Sequence, residues 1–303
     1  MLSIKKYAAI DVGSNAVRLL IATITDFENK QTNFKKTSLV RVPIRLGQDV
    51  FTKGYISDHN FKRMLSAIDA FKDLMECHGV EKYRACATSA MRDAENGELL
   101  TRDIQDKTGI SIDIIDGKDE AAIIAATDLF SLVDDHQTYL YVDVGGGSTE
   151  FTLFSKGETV ASKSFKLGTV RLLNTNAPQE IWDAAKNWIL THTKAYDQIQ
   201  MIGSGGNINN IFKSSGKKPG KTLSYLYLTS YYQLLKSLTY EERIAQLNLN
   251  EDRADVIIPA AEIYLSAMKW SKARSIHVPK IGLSDGIIKS LYNNQEVAAS
   301  GNS

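Results

Sequence analysis

An α/β fold of two similar halves, each a mixed sheet flanked by helices, is the architecture this sequence predicts. Three observations carry it. The run Tyr7-Ala8-Ala9-Ile10-Asp11-Val12-Gly13-Ser14-Asn15 returns in altered form as Tyr139-Leu140-Tyr141-Val142-Asp143-Val144-Gly145-Gly146-Gly147, almost half the chain later. Each copy is an apolar run ending in Asp, a turn of small residues, and a second apolar run, Leu19-Leu20-Ile21 or Phe151-Thr152-Leu153. After each copy, strand-like segments alternate with segments of helical period, as in layered α/β domains.

Taken in order, Tyr7–Asp11 and Arg18–Thr25 read as strands around the Gly13-Ser14-Asn15 turn, with Leu39–Leu46 a third. A helix follows from about Ser57, its Phe61, Leu65, Ile68, Phe71 and Met75 at helical spacing and Gly79 at its end. Tyr83–Thr88 is a strand, Glu98–Thr108 a helix stopped by Gly109, and Ser111–Asp116 another strand. A helix over Lys118–Val133 carries Glu120 in its first turn and joins the halves. The second half restarts with strands at Tyr139–Val144, Thr149–Phe154 and, after a Lys156-Gly157 hairpin turn, Val160–Phe165. A helix over Pro178–Tyr196 starts on the one residue whose missing N–H costs nothing there. A strand near Gln200–Gly203 leads to a helix from Asn207, then to helices near Ser230–Leu238, Tyr240–Leu247 and Asp252–Lys269. Thr239 with Glu242 forms a capping-box pattern for the Tyr240 helix. A strand at Ser275–Val278 precedes a last helix from Ser284. The domains expected are 1–124 and 125–285, with a C-terminal helix over about 286–298 packing back on the first.

The 303 residues are 43% hydrophobic and 23% charged, with a net charge of +1. No global field draws such a chain to nucleic acid or a membrane, so any polyanion must be gripped locally. No apolar run is long enough to cross a bilayer. Cys77 and Cys86 form no CxxC, and the polar start Met1–Lys6 is no secretory leader, so a reduced, cytoplasmic protein is expected. The five histidines lack ligand spacing, and neither HExxH nor GxSxG occurs, leaving zinc and serine hydrolase readings without support.

The chemistry concentrates in Asp143-Val144-Gly145-Gly146-Gly147-Ser148-Thr149-Glu150. Small residues let backbone N–H groups approach phosphate oxygens, and Asp143 and Glu150 at the ends of the turn offer hard oxygen ligands to a Mg²⁺ held against that phosphate. The competing reading is a flexible hairpin with capping carboxylates. In the Asp11 copy, Ser14, Asn15 and Ala16 replace glycines and serine, and Arg18 stands where Glu150 stands. Arg18 is either a phosphate contact or a solvated strand residue. Gly203-Ser204-Gly205-Gly206-Asn207 is a third glycine turn, at a helix start where free N–H groups attract anions, a weak signal taken alone. Thr88-Ser89-Ala90-Met91-Arg92 offers two hydroxyls and an arginine suited to phosphate, or equally a helix cap with an exposed Arg92. Ser215-Gly216-Lys217-Lys218-Pro219-Gly220-Lys221-Thr222 fails as a nucleotide P-loop, because serine holds the first glycine position and no strand leads in. Its lysines suit either an anionic substrate or plain solvation.

These motifs resemble the exopolyphosphatase/guanosine pentaphosphate phosphatase (Ppx/GppA) family, within the sugar kinase, heat-shock chaperone and actin superfamily. The carriers are Ile10–Asn15, Ala87–Arg92, Gly117–Ala121, Asp143–Glu150, Gly168–Leu172, Gly205–Asn207, Arg253–Asp255 and Gly282-Leu283. The resemblance implies two actin-like (ribonuclease H-like) domains with a cleft between them. It also implies Mg²⁺- or Mn²⁺-dependent removal of the terminal phosphate from inorganic polyphosphate or guanosine pentaphosphate. Glu120 matches the family's catalytic glutamate, Asp143 and Glu150 its metal-associated carboxylates, Gly145, Gly146, Gly147 and Ser148 its phosphate loop, and Arg92 and Arg253 its phosphate-contacting cations. Asp11 joins the metal candidates; Gly13, Ser14, Asn15, Arg18, Gly205 and Gly206 join the phosphate-binding ones. The chain departs from the family pattern at Ala16, Asn207 and Ser284. Longer members carry C-terminal helical domains without counterpart in these 303 residues, so processivity on long chains is not expected. The expected partners are polyphosphate or a guanosine penta- or tetraphosphate, and a homodimer is compatible. Two alternatives stay open: a non-catalytic polyphosphate or alarmone sensor, and an ATP-dependent small-molecule kinase.

Overall fold

The computed structural model describes residues 2–27, 31–125, 127, 137–174 and 178–300, without the side chains of 125, 174 and 294–300. Two compact units divide the chain, Met1–Thr127 with Leu283–Ser303 and Asp128–Gly282.

The first unit holds strands β1 (Leu2–Val12), β2 (Val17–Phe27), β3 (Asn33–Val42), β4 (Lys82–Ala87) and β5 (Ile112–Ile114). Its helices are α1 (Leu46–Lys53), α2 (Asp58–His78), α3 (Ser89–Asp93), α4 (Gly97–Thr108) and α5 (Gly117–Ala125), and a later α13 (Leu283–Ser300). The strand order is β3-β2-β1-β4-β5. β1 is antiparallel to β2 and parallel to β4, which is parallel to β5. β1 is central, and its second half is buried on both faces, which explains the unbroken apolar run. Ala8, Ile10 and Val12 pack with Met64, Ile68 and Phe71 of α2 and Ile104 of α4. Tyr7 and Ala9 face the other way, onto Ile123 of α5 and Leu283, Ile287 and Tyr292 of α13. α13 crosses α5 so closely that a Cβ on Gly286 would meet the Ile123 carbonyl oxygen at 2.2 Å.

The second unit repeats this plan. Its strands are β6 (Thr138–Val144), β7 (Thr149–Ser155), β8 (Glu158–Phe165), β9 (Ile199–Ser204), β10 (Leu223–Ser224) and β11 (Ser275–His277). Its helices are α6 (Thr169–Asn174), α7 (Gln179–Thr193), α8 (Gly206–Ser214), α9 (Tyr225–Ser237), α10 (Tyr240–Leu247), α11 (Glu251–Ala254) and α12 (Ile257–Ser271). The order β10-β11-β9-β6-β7-β8 contains the first sheet's order, with β10 added at one edge. Leu140, Val142, Val144 and Phe151 pack with Ile189 of α7, Ile208 and Ile211 of α8, and Tyr264 and Met268 of α12 in one core.

Local chemistry accounts for several ends. Lys156 (φ 53°) and Gly157 (φ 77°) make the hairpin turn expected there. Gly79 and Gly109 close their helices in the left-handed region, at φ 66° and 76°. Thr239 and Glu242 form both bonds of a capping box, at 3.2 and 2.7 Å. Other features differ from expectation. β3 starts at Asn33, α1 and α6 had no strong sequence pattern, and the 252–269 helix divides into α11 and α12 around Asp255 and Val256. Of the helix expected over Lys118–Val133, α5 supplies the part to Ala125, and 126 and 128–133 lie outside the described residues.

Asp49, buried on α1, locks α1 to the start of α2. It accepts hydrogen bonds from the Ser57 amide and hydroxyl, from Asn60 Nδ2 at 2.7 Å and from Lys53 Nζ at 3.1 Å. Burial opposes its charge, but the bonds from Ser57 and Asn60 outweigh that and bring the carboxyl down to about 2. The folded-state value is below the unfolded one, so this stabilisation is full above the ordinary carboxylate range and fades as pH falls toward about 2. Asp49→Ala should cost about 2 kcal/mol at neutral pH, because charged hydrogen bonds are lost and buried donors stranded. Urea unfolding of variant and wild type across pH 6 to 3 should show that gap narrowing on the acid side.

Candidate active site

In the second unit, the β6–β7 turn is gripped from behind. Asp143 stands opposite Glu150 and Val144 opposite Thr149, and the Gly145 amide donates to the Ser148 carbonyl at 3.0 Å. The start of α6 then takes up the loop's carbonyls. Thr169 N donates to Gly145 O at 3.0 Å, and Val170 N and Arg171 N donate to Gly146 O at 2.8 and 3.1 Å. Arg171 Nε donates to Gly147 O at 2.9 Å. Among the described residues the Gly146 and Gly147 amides have no acceptor. A loop whose carbonyls are all turned to one side presents donors on the other, the polarity an anion needs. None of Gly145, Gly146 and Gly147 adopts positive φ. Close approach is required instead at Gly168, where a Cβ would lie 2.2 Å from the Gly147 carbonyl carbon.

Two carboxylates flank this loop in different states. Glu150 is 2% exposed, and its Oε1 accepts from the Ser148 and Ser164 hydroxyls at 2.6 and 2.8 Å. Asp143 is half-buried, with Tyr141 OH at 3.5 Å from Oδ2. The fully buried Tyr264 donates to the Ser204 carbonyl, and burial, followed by the charge of Asp143, raises its phenol well above the ordinary value. The Ser204–Asn207 turn lies beside this group. Gly205 (φ 114°) caps α8, and a Cβ there would meet Val144 O at 2.8 Å. The Arg253 guanidinium lies over Gly206, 2.7 Å from where a Cβ would stand, and donates to Asn207 Oδ1 at 3.2 Å. The structure thus brings Asp143, Gly145, Gly146, Gly147, Ser148, Glu150, Gly205, Gly206 and Arg253 to one end of the second sheet.

In the first unit, Asp11 stands opposite Arg18, whose Nη1 donates to its Oδ2 at 3.2 Å. Burial pushes the Asp11 carboxyl up, and the charge and hydrogen bond of Arg18 pull it back. A cation at Asp11 would therefore compete with a guanidinium already there. The Gly13–Ala16 turn is closed by Gly13 N to Ala16 O at 3.1 Å, and the Ser14 and Ser89 hydroxyls lie 3.0 Å apart. Ser14 and Asn15 carbonyls accept from Gly47 N and Arg45 N, which ties the turn to α1. Arg92 on α3 donates to the Ile115 carbonyl at 2.8 Å and so braces the segment entering α5. There the Asp116 carboxylate caps the helix by accepting from Lys118 N and Asp119 N, the bonds that lower its pKa. Glu120 follows one residue on, half-buried, with Oε2 shut off from solvent. Cys86, opposite Asp11 in the parallel register, is pushed up to about 12 by burial, with Asp113, Asp11 and Glu120 adding their charge.

Sequence reasoning missed Tyr141, Tyr264, Ser164 and the clamp from Arg171. Only the Gly168-Thr169-Val170-Arg171 string, which the family resemblance had marked, pointed toward α6.

Two units of one strand order, each closing its first strand in an acidic hairpin, define a two-domain actin-like fold. Within that class the chain belongs to the Ppx/GppA phosphatase family, which residues 23–295 match. The Exopolyphosphatase 2 of Mycobacterium tuberculosis (strain CDC 1551 / Oshkosh) is 32% identical over 319 residues, covering 96% of this chain and 99% of that protein. A bifunctional 3-dehydroquinate synthase/phosphatase of Fusobacterium nucleatum is 31% identical over 207 residues, 64% of this chain. The match spans only 31% of that longer relative. The crystal structure of an exopolyphosphatase from Cytophaga hutchinsonii superposes with a TM-score of 0.83 at 23% identity, over 96% of this chain and 98% of that one.

The clamp yields a stability prediction. Gly168→Ala should lose about 2–3 kcal/mol in urea unfolding, since backbone lies where the methyl must go. Gly157→Ala has nothing within 4 Å and should lose only about 1 kcal/mol, from its positive φ.

Proposed function

We propose that this chain is a Mg²⁺-dependent phosphohydrolase that releases terminal orthophosphate from inorganic polyphosphate or guanosine pentaphosphate. The observation that carries this is the clamped glycine loop with two open amides, beside a half-buried carboxylate, in a member of a phosphatase family. Phosphoryl transfer asks a protein mainly for positioning and charge neutralisation. The loop amides and the start of α8 supply fixed donors for phosphate oxygens, and Arg253 adds a cation. Arg18 and Arg92 are the corresponding cations of the first unit.

No group of three or more acidic, His or Cys side chains among the described residues forms a metal cage. Mg²⁺ keeps several waters and takes one or two carboxylates together with substrate phosphate. Asp143 is the residue that would hold it, supported by Glu150 from the buried side. Mg²⁺ bound there supplies charge neutralisation at the phosphate. Glu120 accepts the proton of the attacking water. The water oxygen forms the new P–O bond, the bridging P–O bond breaks, and orthophosphate leaves while the shortened chain keeps the bridging oxygen.

Phosphate release should be followed with Mg²⁺ on tripolyphosphate, long polyphosphate, guanosine pentaphosphate and ATP, with no acceptor present. Turnover without acceptor separates this reading from a kinase, and turnover at all separates it from a sensor. Glu120→Gln should lower kcat about 10³-fold, the scale of a lost general base, with thermal stability unchanged. Undiminished phosphate release by that variant would remove Glu120 from the mechanism.

A further inference from the structure

The acidic residues of this chain are unevenly placed. Between Asp197 and Glu241, and again between Glu262 and Asp285, no Asp or Glu occurs, while the two stretches carry nine lysines and arginines. Over the whole chain 36 cations meet 35 anions, so this excess is local.

Topology divides it: Lys269, Lys272 and Arg274 precede β11, whereas Lys217, Lys218 and Lys221 before β10 and Lys280 after β11 fall at the other end of that edge of the second sheet. β9, β11 and β10 are neighbours there. Leu223 and Ser224 of β10 pair antiparallel with Ile276 and Ser275 of β11, which is parallel to β9. Residues just before β10 therefore stand at the same end of the sheet as residues just after β11 and β9. That is the end where Asp143 and Ser204 pair in register and the glycine turns begin. Lys218 and Lys221, both exposed, lie in the loop entering β10. Lys280, exposed, follows β11, and the next carbonyl, of Ile281, accepts from Ser204 Oγ at 2.8 Å. Strands lie about 4.8 Å apart, so the row runs about 10 Å from the glycine turn to the sheet edge.

No ion pair among the described residues uses Lys213, Lys217, Lys218 or Lys221; Lys217 donates to the Thr222 carbonyl at 2.7 Å. Lysines of this kind are point charges on flexible stems, which hold phosphate without demanding one orientation. A row of them suits a ligand that repeats the same charge along its length. A single nucleotide, with its phosphates on one ribose, presents no such repeat.

Resting on the phosphohydrolase reading above, we propose that Lys280, Lys221 and Lys218 form a track for the trailing phosphates of linear inorganic polyphosphate. The terminal phosphate lies at the glycine turns, and the chain leaves across the ends of β11 and β10.

The test compares wild type with the triple variant Lys218→Gln, Lys221→Gln, Lys280→Gln, all exposed changes that leave the core untouched. KM for polyphosphate of several tens of units should rise about tenfold, and KM for tripolyphosphate should stay within about twofold. The slope of log KM against log salt should flatten by about 2, at about 0.7 per single-strand phosphate contact. An unchanged KM and slope for the long chain would overturn the track. Equal losses on both substrates would also overturn it, because the lysines would then act at the terminal phosphate. A binding arm uses the Glu120→Gln protein and end-labelled long polyphosphate. The lysine changes should weaken binding there too, and displacement by a single-stranded oligonucleotide of equal charge as readily as by unlabelled polyphosphate would reassign the surface and defeat the proposal. If wild type released no phosphate yet the lysines still governed long-chain binding, the hydrolase reading would fall and the track would stand.

Discussion

Backbone meets backbone where Gly168 lies against Gly146 and Gly147, with no room for one methyl group. That contact lets three amide donors and one guanidinium donor of α6 reach the carbonyls of the β6–β7 loop. With the carbonyls drawn off to one side, the opposite side of the loop becomes donor-rich at no further energetic cost. The loop's shape is then set by α6 and by the Ser148–Glu150–Ser164 bonds, not by a bound anion. Donors fixed in advance do not have to reorganise as charge develops, which is where enzymes gain most electrostatically.

The two units share one topology but spend their first hairpin differently. In the second, the residue opposite the Asp is a buried glutamate serving as an internal acceptor. In the first it is an arginine that neutralises the Asp directly. One hairpin is thereby built to present donors, whereas the other carries a balanced ion pair beside a hydroxyl pair, Ser14 with Ser89. A duplicated fold has become two halves of unequal chemistry.

Much of this was readable in the residues, and the reasons differ by element. β1 and β6 are central strands covered on both faces, so their apolar runs admitted no other reading. Gly79, Gly109 and the Lys156-Gly157 pair mark positive φ, a requirement local enough for sequence to show. α1 was hidden because it is one short segment entered through Arg45 at φ 63°, an unusual conformation with no residue signature. The break between α11 and α12 at Asp255 and Val256 carries no proline or glycine, so no local rule announces it. Within the site, the acidic hairpins and glycine turns stood out. Tyr264 did not, because only tertiary packing brings α12 beside Asp143 and Ser204.

The first unit is assembled from two stretches far apart in the chain, and this governs when it can form. Its sheet face of Tyr7, Ala9, Leu20 and Ile24 is sealed by Leu283, Ile287, Ile288 and Tyr292 of α13. During synthesis at about 5–20 residues per second, that face waits on the order of ten seconds after Thr127 emerges. The second unit is continuous, and its synthesis fills that interval. A nascent chain therefore carries an unsealed apolar sheet for as long as the second unit is being made, and chaperones have their clearest purchase there.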